Sequence, residues 1–182
     1  MLRAVLFGLF CVVAAGQSLA GDGAPLGLID EIRIGALAHD VPYLWSGFHV
    51  EPSGVDANAE LILTPSIRFL GGTIRPAIGG TLNFDGGTSK AYIDARWQYE
   101  FRNNMFLGLG IGGAWQDGNI DKSDPDLKAL GKRFLFHPTI EIGYHLDRHS
   151  SISLYFEHIS NASTSRYNQG LDDLGIRYGY HF

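Results

Sequence analysis

Apolar and polar residues alternate at period two along most of this chain, which is the signature of β-strands whose two faces meet different surroundings. Eight such segments fall near residues 29–39, 56–69, 73–84, 90–102, 104–116, 133–146, 150–160 and 171–182. One parity, with Ile34, Leu61, Ile78, Ile93, Trp97, Ile111, Ile140, Leu154 and Ile176 among its members, is almost free of charge. The other holds Arg33, Glu60, Arg68, Arg75, Asp94, Arg96, Glu100, Arg102, Glu141, Glu157 and Arg177, with Gly108, Gly110 and Gly112 on the fifth strand.

A water-soluble sandwich would turn the apolar face inward, whereas a membrane barrel turns it to lipid and pairs the charges in its lumen. Strand length favours the barrel. At ~3.3 Å per residue, 11 to 13 residues reach roughly 36 to 43 Å, enough to cross a bilayer at the usual tilt and about twice a soluble strand. The predicted fold is therefore all-β, an eight-stranded antiparallel transmembrane β-barrel of the outer membrane. Its lumen should be filled by side chains, with the three glycines making room for arginines.

The connections alternate in length as such a barrel requires. Residues 41–55, 85–89, 117–132 and 161–170 are the longer ones, expected to be extracellular; 70–72, the junction at Asn103 and 147–149 are short. The last strand ends on Phe182 with tyrosines at alternate positions, which resembles the terminal strand of outer-membrane barrels in general.

The first 20 residues carry Arg3, an apolar run from Ala4 to Ala15 and small residues at 18 and 20, the pattern of a cleaved secretory signal peptide. The apolar run is shorter than a membrane span. The single domain is then 21–182, localised to the bacterial outer membrane. Losing Arg3 takes the formal charge from −5 to about −6, and losing Cys11 removes the only cysteine. Disulfide and thiol chemistry are thereby excluded. The acidic balance, without a basic stripe, argues against nucleic acid as a partner.

Parity also sorts the candidate chemistry. His158 and Ser160 continue the outward row of the seventh strand, and residues two apart on a strand have Cα atoms about 6.6 Å apart. Counting back along the eighth strand from Phe182 puts Asp172 on the same outer face and Asp173 in the lumen. A serine, a histidine to take its proton and a carboxylate to orient the imidazole are what nucleophilic ester cleavage needs. Asn161, next to the serine, is the best-placed amide for an oxyanion. An outward His-x-Ser near a strand end also occurs as plain interfacial polarity, and Asp172 also fits a loop carboxylate starting a turn. His137, His145 and His181 lie on luminal parity without compact ligand spacing, so no metal is expected. The acidic run from Asp117 to Asp126 reads as a solvated loop.

The run His158-Ile159-Ser160-Asn161-Ala162, followed by Asn168-Gln169-Gly170 and Asp172, resembles the signature of the lipid A 3-O-deacylase family, the PagL type. The resemblance implies an eight-stranded barrel and an esterase that removes the 3-O-linked acyl chain of lipid A without a cofactor. It implies a triad of His158, Ser160 and Asp172, with support from Asn161 and Asn168. The family's acid is typically glutamate, and aspartate is one methylene shorter. The implied partners are lipid A or lipopolysaccharide and the outer membrane itself, with a homodimer left open. The competing reading is a non-catalytic barrel with a structural, adhesion or stress-response role.

Overall fold

The computed structural model describes residues 27–47 and 51–182; the expected signal peptide lies outside the described residues. Among the described residues there are ten strands: β1 (Ile29–Ala38), β2 (Val55–Leu63), β3 (Ile67–Phe69), β4 (Gly72–Asn83), β5 (Lys90–Glu100), β6 (Met105–Gln116), β7 (Phe134–Phe136), β8 (Thr139–His145), β9 (Ser150–Ile159) and β10 (Leu171–His181). All pairings are antiparallel, and β1 bonds to both β2 and β10, so the sheet closes on itself as an eight-stranded barrel.

Eight staves give ten strands because prolines interrupt two of them. The second stave breaks between β2 and β3 around Pro65. Its register on β4 moves by two residues across the break, from Ile62 opposite Ala77 to Ile67 opposite Ile74. A shift of two leaves every side chain on its original face. The sixth stave breaks at Pro138, which has no N–H to give to the ladder. Its register on β6 carries on unchanged, from Phe136 opposite Gly113 to Thr139 opposite Gly110. The segments expected as single strands over 56–69 and 133–146 are therefore each divided, with parity preserved.

The outer wall carries the uncharged row. Ile93 and Ile111 remain 66 and 64 % exposed, as do many neighbours of the same kind, and an apolar belt of that extent suits lipid and not water. Near the short-turn rim Trp97 stacks on Tyr99, Tyr99 meets Phe101 edge-on, and Tyr180 meets Phe182 edge-on, forming part of an aromatic girdle. At that rim Leu70 and Gly71, with φ of 47° and 77°, make the tight turn joining β3 to β4.

The lumen is filled by paired charges. Arg177 bonds to Glu141 at 2.7 Å, lies 3.3 Å from Glu60 and packs 3.6 Å above the Tyr155 ring. Arg33 bridges Glu31 at 2.8 Å and Glu141 at 2.5 Å, while Arg96 pairs with Glu60. Gly110 makes room for an arginine, since a Cβ there would collide with the Arg96 guanidinium; at Gly108 and Gly112 the nearby groups are instead the carboxylate side chains of Glu141 and Asp94. Arg68 and Arg102, expected in the lumen, are exposed beyond the end of the network. Above it, toward the long-loop rim, Tyr92, Ala114, Leu130, Leu135, Ile159 and Leu171 form a small apolar core.

Candidate active site

Ile159 and Leu171 point into that core, so their neighbours His158 and Asp172 must point outward. The two stand directly opposite each other in the β9–β10 ladder. Facing side chains in such a pair have Cβ atoms about 4.5–5.5 Å apart, and here His158 Nδ1 lies 2.6 Å from Asp172 Oδ1. The shorter acid therefore reaches the imidazole. A proton held at Nδ1 by the carboxylate leaves Nε2 as the basic nitrogen.

The pair is on the outer wall yet buried, with His158 only 4 % and Asp172 0 % exposed. The cover comes from the loop after β1, called loop 1, which returns over the wall. The backbone N–H groups of Trp45 and Ser46 both donate to Asp172 Oδ2 at 2.7 Å, and Val41 N–H donates to the Asp172 carbonyl at 2.7 Å. The Trp45 ring stacks on the His158 imidazole with centroids 4.6 Å apart and planes 10° apart. None of this was foreseen from the sequence, which gave residues 41–55 only as a long connection.

Ser160 follows on the same outward row, just past β9. Its backbone is fixed to β7 by two hydrogen bonds with Phe136, of 2.8 and 3.2 Å, and the residue is partly exposed. The chain then reverses through Ala162 and Ser163, whose φ values of 52° and 62° are left-handed. It returns through Gly170, φ 65°, where a Cβ would stand 2.9 Å from His158 Cε1.

Asn161 takes a different place from the one expected. Its parity is opposite to that of Ser160, it is buried, and its amide donates to the carbonyls of Leu130 at 2.8 Å and Tyr167 at 2.5 Å. The amide is thus committed to tying the fourth long loop to the third through Leu130 and to closing the fourth loop on itself through Tyr167, and the side chain is not aimed at the His158 face. Asn168, exposed, accepts from Asn161 N–H at 2.8 Å and shapes the same loop.

A second buried cluster lies behind loop 1. Glu51 accepts from Thr88 N–H at 2.7 Å, the Thr88 hydroxyl at 2.9 Å and Lys128 N–H at 3.0 Å, binding three long loops together. The Lys128 ammonium donates to Asp40 at 2.7 Å and to the Ser46 hydroxyl at 3.1 Å. His39 lies between Asp56 at 2.8 Å and Glu51 at 3.1 Å. Burial alone would lower the His39 pKa, but hydrogen bonds to Asp56 and Glu51 and the charge of Asp173 outweigh it and push it up to about 10. Burial likewise works to raise Glu51, and its hydrogen bonds hold it below its ordinary value.

His39, Asp56 and Asp173 place ligand-type atoms within 4.8 Å of one another. Lys90 already pairs with Asp173 and with Glu157 at 2.8 Å, so the cluster carries its own cations. The histidines on luminal parity are spread apart: His137 bonds to Asp94 and Glu157, and His145 to Glu100.

Beside the pair, the outer wall and loop 1 enclose an open groove of about 710 Å³ lined by Tyr43, Leu44, Trp45, Ile140, Ile142, Leu154, Phe156 and Leu174. Phe156 and Leu174 are the next outward residues below His158 and Asp172. A basic imidazole held by a carboxylate, a hydroxyl on the same row and an apolar trough alongside suit cleavage of an ester in a long-chain lipid.

The model of one protein family, described as Lipid A 3-O-deacylase (PagL), matches residues 54–181. Among solved structures, the outer membrane enzyme PagL superimposes with a TM-score of 0.61 at 21 % identity, over 82 % of this chain and 99 % of that one. Neisserial surface protein A superimposes with a TM-score of 0.50 at 11 % identity, over 84 % of this chain and 96 % of that one. At these identities the two likenesses concern the fold. No curated protein matches the sequence.

Proposed function

Because this chain belongs to the lipid A 3-O-deacylase (PagL) family, we propose that it is an outer-membrane esterase that removes the 3-O-linked acyl chain of lipid A. The observation that carries this reading is the 2.6 Å contact between His158 and Asp172 on the outer wall, on the same row as Ser160. Ser160 Oγ attacks the ester carbonyl while His158 Nε2 takes its proton. Asp172 holds the tautomer and stabilises the imidazolium. His158 then protonates the departing sugar oxygen, leaving an acyl-serine. Water, deprotonated by the same nitrogen, attacks that ester and releases the fatty acid.

With the Asn161 amide committed elsewhere, we assign oxyanion stabilisation to main-chain N–H groups of the left-handed turn at Ala162 and Ser163. The apolar groove below the pair takes the acyl chain. An exterior site suits this substrate, since a membrane lipid reaches the wall by lateral diffusion without leaving the bilayer.

The test is mass spectrometry of lipid A from cells producing either the wild-type chain or Ser160→Ala. Loss of one 3-hydroxyacyl group with the wild type, and none with the variant, supports the esterase. Unaltered lipid A in both would favour a non-catalytic barrel, and loss in both would remove Ser160 from the mechanism.

A further inference from the structure

A hydrogen bond at Nδ1 fixes one point of an imidazole but leaves the ring free to swing about that point. In a protein interior the surrounding side chains settle the ring plane. On the outer wall of a barrel there is lipid instead, and apart from the approach of Gly170 to the ring edge at Cε1 the wall beside His158 supplies no second layer of protein. Loop 1 provides one. The Trp45 ring lies nearly parallel to the imidazole at 4.6 Å, while the main chain at Trp45 and Ser46 holds the far oxygen of Asp172.

We propose that Trp45 is a positioning residue for the reaction, fixing the plane of His158 so that Nε2 faces Ser160; this rests on the triad assigned above. Its placement is enforced from behind, because the Ser46 hydroxyl and Asp40 are both held by the buried Lys128 ammonium. Trp45 is otherwise 64 % exposed, so it contributes little to the barrel itself, and its stacking contact is with the imidazole. Trp45 also forms part of the apolar groove. Those two roles separate if the reacting molecule is too small to fill the groove.

The probe is a fluorophosphonate with short alkyl groups, applied to the folded full-length barrel in detergent and followed by intact mass. Ser160 Oγ forms a bond to phosphorus, fluoride leaves, and the serine proton passes to His158. Trp45→Ala should label roughly ten- to a hundredfold more slowly than wild type, as expected for a misdirected base. Trp45→Phe, which keeps an aromatic face, should stay within about threefold of wild type, and Trp45→Leu, which keeps bulk without a ring, should resemble the alanine variant. Heat-modifiable migration reports folding, and Trp45→Leu carries the test if Trp45→Ala does not fold. Labelling of Trp45→Ala at the wild-type rate, or of Trp45→Leu as fast as Trp45→Phe, overturns the positioning role while leaving the esterase standing. An unlabelled wild type, or a Ser160→Ala variant labelled like wild type, overturns the triad and this role with it.

Discussion

Asp172 faces His158 across the β9–β10 ladder with Oδ1 2.6 Å from Nδ1, and its other oxygen receives two backbone N–H groups from loop 1. Every acceptor direction of this buried carboxylate that matters is taken, so its length is fitted to its surroundings. Asp172→Glu should therefore lower lipid A deacylation roughly tenfold or more, even though glutamate is a competent triad acid elsewhere. Asp172→Asn should cost about 10⁴-fold in kcat by favouring the wrong tautomer. Fatty-acid release by the two purified variants checks both. Wild-type activity in Asp172→Glu would mean that loop 1 adapts freely.

Gly170 permits the close approach of the returning chain to the imidazole. Its φ is 65°, and a Cβ would fall 2.9 Å from His158 Cε1 and 3.3 Å from Ser46 Cβ. Gly170→Ala is expected to displace either the ring or the loop, lowering kcat about ten- to a hundredfold with the barrel intact. Initial rates alongside heat-modifiable migration measure the two effects separately.

Asn161 distinguishes loop support from direct chemistry. Removing its amide in Asn161→Ala leaves the carbonyls of Leu130 and Tyr167 without that donor, at about 1–3 kcal/mol for each buried group left unmet. The expected outcome is faster proteolytic cleavage in the third and fourth long loops together with reduced activity. A loss of activity with unchanged protease resistance would restore this side chain as an oxyanion donor.

The His39 cluster makes the stability of the long-loop rim depend on pH. The folded pKa of His39, about 10, lies above its ordinary 6.5, so its contribution is complete below about 6.5 and is lost as pH rises through 10. Glu51 runs the other way: its folded pKa is below the ordinary 4.5, so its contribution is present above 4.5 and is lost as pH falls through the lowered value. The difference in urea midpoint between wild type and His39→Gln should be greatest near pH 6 and shrink as pH passes about 10. A difference that does not change with pH would contradict the charged state of His39.

The luminal network makes the barrel sensitive to single charge deletions. Glu141 receives both Arg177 and Arg33 in full burial. Glu141→Gln should destabilise the barrel by about 3–5 kcal/mol, because it leaves two buried guanidinium groups short of a counter-charge. Urea unfolding of the detergent-folded protein measures it.

The staves were legible because each strand turns an exposed apolar row outward and packed charge inward, so alternation survives along its whole length. The breaks at Pro65 and Pro138 escaped the same reading for a physical reason. A two-residue register shift at the first, and none at the second, leaves parity intact. The placement of His158, Ser160 and Asp172 on one outward row was legible too, since the residues sit on adjacent strands. Asn161 was assigned by its neighbour in sequence, although its odd parity already set it on the other side. Trp45 and Ser46 could not be found this way: they meet Asp172 across 127 and 126 residues of chain, through a loop whose return over the wall is set by Lys128, Asp40 and Glu51.

Hydrolysis of a lipid A ester by this barrel is proposed to run through Ser160. Purified wild type and Ser160→Ala, folded in detergent and given purified lipid A, can be compared by the free 3-hydroxy fatty acid each releases. The wild type is expected to release one such acid per lipid A, from the 3-O position alone, and the variant none. Equal release by both, or none by the wild type, would contradict it.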